Sequence, residues 1–186
     1  GDVGSVNVIC STTGYTVGGP VTGLTGSGLV LRLNGTSDLI VPVGSISYTF
    51  PTSVASGGTY SVAVLSQPTG LKCSVTSLTA TGTVSTENIT NVALACQNGY
   101  TVGGTVTGLA GTNLVLRNTV NGATSDFVIS GNSFTFPELL VTGDTYSTQV
   151  LNHPESPYQS CGMSNSGGTI ASANITNISV SCSTIT

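Results

Sequence analysis

Charged side chains are scarce in this 186-residue sequence, at 5% of all residues, against roughly a quarter in an ordinary soluble protein. The basic residues are Arg32, Lys72 and Arg117 alone, and the formal net charge is −4. A nucleic-acid backbone is bound through several Lys or Arg side chains that displace its counterions. Anionic lipid headgroups attract the same residues. We therefore expect neither nucleic acid nor a charged membrane surface as a partner.

Long apolar runs are missing as well. No stretch reaches the roughly 18 residues that indicate a membrane-spanning helix, so we predict no membrane insertion. The chain also begins without a basic and then apolar leader, and we expect any export signal to have been removed already. Disorder is not expected, because 38% of the residues are hydrophobic and they alternate with polar residues.

Groups that could perform catalysis or bind metal are few and scattered. His153 is the single histidine, and the seven carboxylates show no Asp-x-Asp spacing of the calcium-binding type. A nucleophile needs an adjacent base, and acid–base catalysis needs a positioned pair of titratable groups. The glycine pairs have no following lysine that could hold a phosphate. We predict no enzyme activity, no cofactor and no metal site.

What the sequence does contain is an internal repeat. The motif Gly-Tyr-Thr-Val-Gly-Gly of residues 14–19 returns at residues 99–104, and the motif Asn-Ile-Thr-Asn of residues 88–91 returns at residues 174–177. Self-similarity at a fixed period indicates repeated structural units. The predicted parts are an N-terminal strand over residues 1–13, a first repeat over residues 14–98 and a second repeat over residues 99–186.

The residue pattern within each repeat is typical of β-structure. Val, Ile, Thr and Tyr are abundant, and apolar and polar residues alternate in residues 59–65 and 91–96. Gly and Asn pairs recur at short intervals, where hairpins are expected to close. These pairs are Gly18-Gly19, Asn34-Gly35, Gly57-Gly58, Asn121-Gly122 and Gly131-Asn132. We predict an all-β chain of two tandem antiparallel immunoglobulin-like β-sandwiches, with about seven strands each and a spare terminal strand.

The order of motifs within each repeat gives a family resemblance. Gly-x-Val-x-Gly-Leu is followed by a Leu-Val-Leu strand, then by aromatic-Thr-Phe-Pro, and then by a Thr-Tyr pair and a Val-rich strand. Over residues 14–182 this resembles the prealbumin-like sandwiches of carboxypeptidase regulatory domains and collagen-adhesin B-type repeats. It also resembles the tandem Tyr-Thr-Val-Gly-Gly repeats of bacterial surface proteins. The resemblance implies the fold, and it is compatible with stalks, adhesins and enzyme accessory regions alike.

The five cysteines predict disulfides. Cys10, Cys96 and Cys182 share one position of the repeat, and Cys73 and Cys161 share another. Repeated cysteines without metal-ligand spacing are typical of exported proteins in an oxidising environment. One pairing joins Cys73 to Cys96 and Cys161 to Cys182, and leaves Cys10. The other joins Cys10 to Cys73 and Cys96 to Cys161, and leaves Cys182. We favour the first, because neighbouring strands bring such cysteines together, and each bridge would stabilise by roughly 3 kcal/mol.

The first ten residues match the closing strand of both repeats. Aligned on Cys10, residues Val3, Val6 and Val8 stand where the closing strands carry apolar residues. The chain thus has more closing strands than repeat bodies. An unpaired strand is a template for another chain, and an odd cysteine suggests a bond between molecules. We hypothesise that this strand docks on a neighbouring subunit, with Cys10 as the intermolecular candidate. Alternatively, it is the tail of a preceding repeat in a longer array, or an extra edge strand of the first repeat.

A loop in the second repeat is a candidate recognition site. Residues 152–159 form a longer segment than the matching part of the first repeat, and include His153, Glu155 and Tyr158. Loops on rigid sandwiches often carry binding residues.

The sequence also contains N-glycosylation sequons, which in secreted proteins indicate surface loops. They begin at Asn34, Asn88, Asn174 and Asn177.

These features predict an exported structural protein at the cell surface or outside the cell. The leading hypothesis is a subunit of a bacterial filament, stalk or sheath, a homopolymer assembled head-to-tail by strand docking between copies. The first alternative is an adhesive module that binds a glycan or another surface as part of a larger secreted or cell-surface repeat protein. The second alternative is an accessory region of a larger secreted enzyme.

Overall fold

A computed structural model of the chain describes residues 13–185. The predicted N-terminal strand, with Val3, Val6, Val8 and Cys10, lies outside the described residues. Within the described range the chain forms strands and turns, and no helix is long and apolar enough to cross a membrane. The chain divides into two compact units. Within residues 13–185, the first unit comprises residues 13–69 with Cys73–Cys96, and the second comprises Gly70–Lys72 with residues 97–185.

From residue 13 onward, ten strands belong to the first half of the chain. They are β1 (Gly14–Tyr15), β2 (Gly18–Thr22), β3 (Val30–Leu33), β4 (Ser37–Ile40), β5 (Ser47–Thr49), β6 (Val54–Ala55), β7 (Thr59–Ser66), β8 (Leu71–Val75), β9 (Thr81–Thr83) and β10 (Leu94–Asn98). One four-stranded sheet has the order β5-β2-β10-β8, the other has the order β4-β3-β7-β9, and β1 pairs with β6.

Eight strands form the second half in the same arrangement. They are β11 (Val102–Thr107), β12 (Leu114–Val120), β13 (Ala123–Ile129), β14 (Ser133–Thr135), β15 (Thr145–Asn152), β16 (Gln159–Ser164), β17 (Gly167–Thr169) and β18 (Ile175–Thr184). The sheet orders are β14-β11-β18-β16 and β13-β12-β15-β17. Both halves have more strands than the seven predicted for each repeat. The count is higher because it includes several short strands of only two or three residues.

The predicted all-β architecture of two immunoglobulin-like sandwiches is confirmed, with one feature that the pattern did not predict. In each unit the first strand of the main sheet lies parallel to the last: β2 to β10, and β11 to β18. The other registered strand pairs are antiparallel. Because the first and last strands run in the same direction, the chain enters each sandwich at one end and leaves at the other.

The core of each sandwich comes from the inward side of alternating strands. In β12, Leu114 and Leu116 are fully buried, and the residues between them face outward. Aromatic rings fill the centre: Phe136 lies 5.3 Å from Phe134 and 4.9 Å from Phe127 between ring centroids. Burying a leucine or phenylalanine side chain contributes about 2 kcal/mol, so these positions supply the main stabilisation of the fold.

The predicted Asn-Gly turns form, but the first glycine pair was misassigned. Asn34 and Asn121 have φ values of 52° and 48° and connect adjacent strands, β3 to β4 and β12 to β13. Asn tolerates this left-handed conformation better than most residues. Gly18 and Gly19 were also predicted to form a turn, and that prediction was wrong. They lie inside β2, where the missing side chains make room for neighbouring backbone.

Candidate functional site

The closing strand of each unit lies between two partners, and we call this arrangement the closing-strand seat. In the first unit β10 lies between β2 and β8, and in the second β18 lies between β11 and β16. The inward residues of the closing strands are fully buried, such as Val92 just before β10 and Ile178 and Val180 in β18. The seat is therefore a hydrophobic slot with backbone hydrogen-bond partners on both sides.

An asparagine side chain fastens the entrance of each seat. The backbone N–H of Thr16 donates to Oδ1 of Asn88 at 2.9 Å, and that of Thr101 donates to Oδ1 of Asn174 at 3.0 Å. The neighbouring N–H of Ile89 donates to the carbonyl of Thr16 at 2.9 Å. The Gly-Tyr-Thr-Val-Gly-Gly motif therefore contacts the Asn-Ile-Thr-Asn motif, and this contact occurs once in each unit.

Glycines allow the first strand to approach the closing strand closely. A Cβ atom on Gly19 would overlap the carbonyl oxygen of Val92, and one on Gly104 would overlap that of Ile178. In the first unit the hydroxyl of Tyr48 donates to the same Val92 carbonyl at 2.9 Å. Burial, together with the nearby Tyr60, raises the pKa of Tyr48. Gly19 and Gly104 are therefore required, because a side chain at either position would collide with the backbone of the closing strand.

A disulfide joins the closing strand to the edge strand of each seat. Cys73 in β8 is bonded to Cys96 in β10, and Cys161 in β16 is bonded to Cys182 in β18. All four cysteines are at least nine-tenths buried. These are the pairs with the shorter sequence separations, 23 and 21 residues. Such bonds persist in oxidising compartments.

His153, a predicted recognition residue, holds the disulfide strand. Its Nδ1 accepts a hydrogen bond from the backbone N–H of Cys161 at 3.0 Å. In the first unit Gln67 bonds the equivalent backbone. Its Oε1 accepts a hydrogen bond from the N–H of Cys73 at 2.6 Å, and its Nε2 donates one to the Cys73 carbonyl at 2.9 Å. The histidine thus supports the backbone beside the disulfide, a role that its loop position in the sequence did not indicate.

The rest of the predicted recognition loop is fastened to the sandwich. Glu155 and Thr112 exchange two backbone hydrogen bonds, of 2.7 and 2.8 Å. Gln159 is 1% exposed, and its Oε1 accepts from the N–H groups of Ala110 and Gly111, both at 2.8 Å. The third predicted residue, Tyr158, is 69% exposed. Its ring is therefore open to contact with a partner.

A groove in the first unit gathers hydroxyl groups. Its volume is about 430 Å³, and Gly18 and Gly19 are among the residues that line it. Four residues with Ser or Thr hydroxyls line it, which are Thr16, Ser47, Thr49 and Thr90, and Tyr48 lines it as well, with its hydroxyl bonded to the Val92 carbonyl. We call it the hydroxyl-lined groove. The second repeat carries the same residue types at the matching sequence positions, which are Thr101, Ser133, Thr135 and Thr176.

Two arginine–aspartate pairs lie across adjacent strands. Arg32 donates to both carboxylate oxygens of Asp38 at 2.6 and 2.8 Å, and Arg117 does so to Asp126 at 2.7 and 2.8 Å. The hydrogen bonds lower the pKa of each aspartate and raise that of each arginine. Each aspartate is thus bonded through both carboxylate oxygens to the arginine opposite it on the adjacent strand.

Several sequon asparagines have structural tasks. Nδ2 of Asn34 donates to the carbonyl of Thr59 at 3.1 Å, and its Oδ1 accepts from the N–H of Ser61 at 2.7 Å. Asn88 and Asn174 fasten the seats as described above. Within residues 13–185 no three His, Cys, Asp or Glu side chains come together as a metal site would require.

Comparison with known proteins gives weak structural likenesses. No family model matches the chain, and no curated protein matches it. The C-terminal fragment of the pilus adhesin SpaC from Lactobacillus rhamnosus GG is similar at 10% identity and a TM-score of 0.37, over 94% of this chain and 98% of that one. Against SpaC in its open conformation the chain spans 32% of the known structure.

Two pilins give comparable values. The shaft pilin SpaA from Lactobacillus rhamnosus GG is similar at 8% identity and a TM-score of 0.34, over 95% of this chain and all of that one. A variant of the major pilin from Streptococcus pyogenes is similar at 10% identity and a TM-score of 0.30, with the same coverage. Each of these is a protein that the chain is similar to, at a level too low to transfer any property.

Proposed function

We propose that the chain is a non-catalytic structural subunit of an extracellular filament, stalk or sheath, in which each unit carries tension along the chain. The observation that carries this proposal is the parallel pairing of the first and last strands in each closing-strand seat. The chain enters one end of each sandwich through one of these strands and leaves the other end through its neighbour. A pull on the chain therefore draws the two strands past each other.

This geometry loads many hydrogen bonds together. In the first seat the N–H of Gly18 donates to the carbonyl of Ile89 at 2.8 Å, and the N–H of Val92 donates to that of Gly18 at 3.1 Å. In a parallel ladder such bonds are evenly spaced and slanted between the two strands, so a pull that slides one strand past the other loads them together. They must break at once, whereas a hairpin pulled from its open end breaks one bond at a time. The rate of forced unfolding depends on that barrier.

The disulfides limit how far a yielding unit can extend. The bond between Cys73 and Cys96 keeps the intervening loop closed after the rest of the first unit has unfolded. At about 3.5 Å per residue, closing 23 residues removes roughly 80 Å of extension. A unit with an intact disulfide therefore extends by a shorter length when the load is high enough to unfold it.

Single-molecule stretching of the whole chain tests this mechanism. The ladder between β11 and β18 has five registered pairs, whereas the first unit has two pairs between β2 and β10 and an isolated parallel bridge between Val17 and Ile89. We expect two unfolding events, with the first unit yielding at the lower force. Replacing Cys73 and Cys96 by alanine should lengthen the lower-force event by roughly 80 Å and leave the other event unchanged. If the second unit yields first, or if both extend without a resolved force peak, the tension-bearing role is wrong.

Head-to-tail assembly through the predicted N-terminal strand is the second part of the proposal. Its residues Val6, Val8 and Cys10 match positions that are buried in the closing strands, as at Leu94 and Cys96. Both seats of the chain are filled, by β10 and by β18. Docking on another copy would therefore extend a sheet edge or exchange one closing strand for another, each a known route to assembly.

Non-reducing electrophoresis of the whole chain tests this docking. We expect the Cys10 thiolate to attack the closing-strand disulfide of a neighbouring copy, so that each intermolecular bond formed releases one cysteine thiol of that copy. The resulting covalent multimers should be absent in a Cys10→Ser variant. A Val6→Asp variant keeps the thiol but introduces a charge at a position that matches a buried one, so it should also fail to form multimers. Peptide mapping would then identify the cysteine bonded to Cys10. A chain that stays monomeric at high concentration, with the free thiol still on Cys10, contradicts head-to-tail docking.

An adhesive or glycan-binding module is the alternative function, favoured by two observations. The hydroxyl-lined groove offers uncharged hydrogen-bonding groups to a sugar, and Tyr158 offers an exposed ring. Aromatic faces and a few placed polar groups are typical of ligand sites. A glycan array with the whole chain tests this, with Tyr158→Ser and Thr49→Val as variants. Binding that either variant abolishes supports the alternative, and no binding to any glycan removes it.

A further inference from the structure

The outer face of one sheet in the first unit carries three neighbouring aliphatic side chains. Val30 of β3 lies directly opposite Ile40 of β4, and Leu65 of β7 lies at the bulge beside Val30. All three point away from the core, as the alternation of burial in each strand shows. Ile40 is 72% exposed and Leu65 is 47% exposed. We call these three residues the first aliphatic row.

The second unit repeats this arrangement. Val115 of β12 lies opposite Val128 of β13, and Leu151 of β15 lies at a bulge in the same place. Val128 is 70% exposed and Leu151 is 37% exposed. These three residues form the second aliphatic row. Single exposed aliphatic residues are ordinary, but three on adjacent strands at the same place in both units form a patch of the kind that marks an interaction surface.

Each aliphatic row borders a neutral ion pair on the same face. Along the strands, the next outward positions are Arg32 opposite Asp38 in the first unit and Arg117 opposite Asp126 in the second. Because each guanidinium is paired with a carboxylate, the face carries no net charge there. Two copies that meet face to face with opposite polarity could place the Arg of one against the Asp of the other. The surface is thus complementary in charge to itself.

We propose that each aliphatic row docks on an aliphatic row of a second copy of this chain, in a face-to-face lateral contact. Three side chains bury far less than the roughly 800 Å² per partner of a standard stable interface, so one row gives only weak association. Since every chain has two rows, it can contact two other copies, and such contacts extend without closing. This lateral contact is independent of the tension-bearing and head-to-tail parts of the proposed function.

Disulfide trapping at the first row tests the contact. In a Cys10→Ser background, Ile40→Cys places a thiol in the row, and Leu78→Cys places one at a residue that is 90% exposed but lies outside both rows. On mild oxidation of the concentrated chain we expect Ile40→Cys to form dimers at least ten times faster than Leu78→Cys. Equal rates for the two variants would overturn the proposal.

The number of rows sets the size of the assembly, which gives a second test. The measurement uses a background with Val6→Asp and Cys10→Ser, which removes the proposed head-to-tail docking. With both rows present in that background, sedimentation at increasing concentration should show species larger than dimers. Val128→Thr with Leu151→Thr changes only exposed positions and removes the second row, so assembly should stop at the dimer. Species larger than dimers in that variant would overturn the proposal, as would a monomer at every concentration of the unaltered chain.

A trapping experiment with Cys10 retained identifies the occupant. If the Ile40→Cys thiol bonds preferentially to Cys10, the row receives the N-terminal segment rather than a second row, and the proposal is wrong. If it bonds to Ile40→Cys of another chain at the rate seen without Cys10, the proposal holds.

Discussion

At the scale of single residues, the repeated positions of this chain serve the backbone. Asn88 and Asn174 accept a hydrogen bond from the strand that begins each unit, and Gly19 and Gly104 let that strand approach the closing strand. These tasks need a carboxamide or the absence of a Cβ atom, and few other residues supply either. The recurrence of these residue types in the sequence is therefore a consequence of packing.

The close approach at Gly104 can be tested with a matched glycine. A Cβ atom at Gly104 would overlap the carbonyl oxygen of Ile178, whereas one at Gly162 in the same unit meets open space. We expect Gly104→Ala to lower the free energy of unfolding of the second unit by about 1–3 kcal/mol. Gly162→Ala should leave it unchanged or raise it by about 0.5 kcal/mol. Urea denaturation measures both, and equal effects would contradict the overlap.

The hydrogen bond of His153 gives a second test at this scale. His153→Ala removes the acceptor of the Cys161 N–H and should lower the free energy of unfolding by about 1 kcal/mol. His153→Gln introduces the residue that holds the same place in the first unit, Gln67, and should retain most of the stability. Hydrogen exchange at the Cys161 amide measures the effect locally. Unchanged protection in the alanine variant would show that another acceptor replaces the imidazole.

At the scale of elements, the two hairpins that carry an arginine–aspartate pair are paired without a bulge. The Asn-Gly turn sets the register, and the register places Arg32 opposite Asp38 in one hairpin and Arg117 opposite Asp126 in the other. The turns and the alternation were readable from the sequence. The ion pairs were not predicted, because the number of residues between Arg and Asp differs between the two hairpins.

The pH dependence of the hairpins follows from the lowered pKa of Asp38 and Asp126. A carboxylate whose pKa is lower in the folded state stabilises fully above its ordinary value of 3.8, and that stability is lost as pH falls through the lowered value. We expect Arg32→Gln to return the pKa of Asp38 toward 3.8 and leave that of Asp126 unchanged. NMR titration of the carboxyl groups measures this. An unshifted Asp38 in the variant would mean that Arg32 is not the cause.

At the scale of the whole molecule, the chain consists of two copies of one sandwich, each with its own disulfide and its own closing-strand seat. A pull along the chain passes through both seats in turn, because the two units are joined in sequence. The aliphatic rows lie on the outer face of a sheet in each unit, whereas head-to-tail docking would use a sheet edge or a closing-strand seat. The proposed lateral contact and the proposed head-to-tail contact therefore use different surfaces.

Removing one disulfide should affect one unit alone. The chain-entropy estimate for a loop of this size is about 3 kcal/mol, so replacing Cys161 and Cys182 by alanine should lower the free energy of unfolding of the second unit by that amount. The transition of the first unit, with Cys73 and Cys96 intact, should stay in place. Two-step denaturation followed by hydrogen exchange separates the units. A matching loss in both would show that they unfold as one.

The sequence by itself determined the fold class and the repeat, because strand alternation, turn residues and self-similarity are local properties of the chain. It narrowed the disulfides to two pairings and favoured the one with the shorter sequence separations, which is the pairing in the structure. The tertiary structure decided which strands are neighbours. It placed the first strand parallel to the last, assigned His153 to the backbone of Cys161, and brought Ile40, Val30 and Leu65 together on one face. These contacts join residues that are distant in sequence, so only the folded chain brings them together.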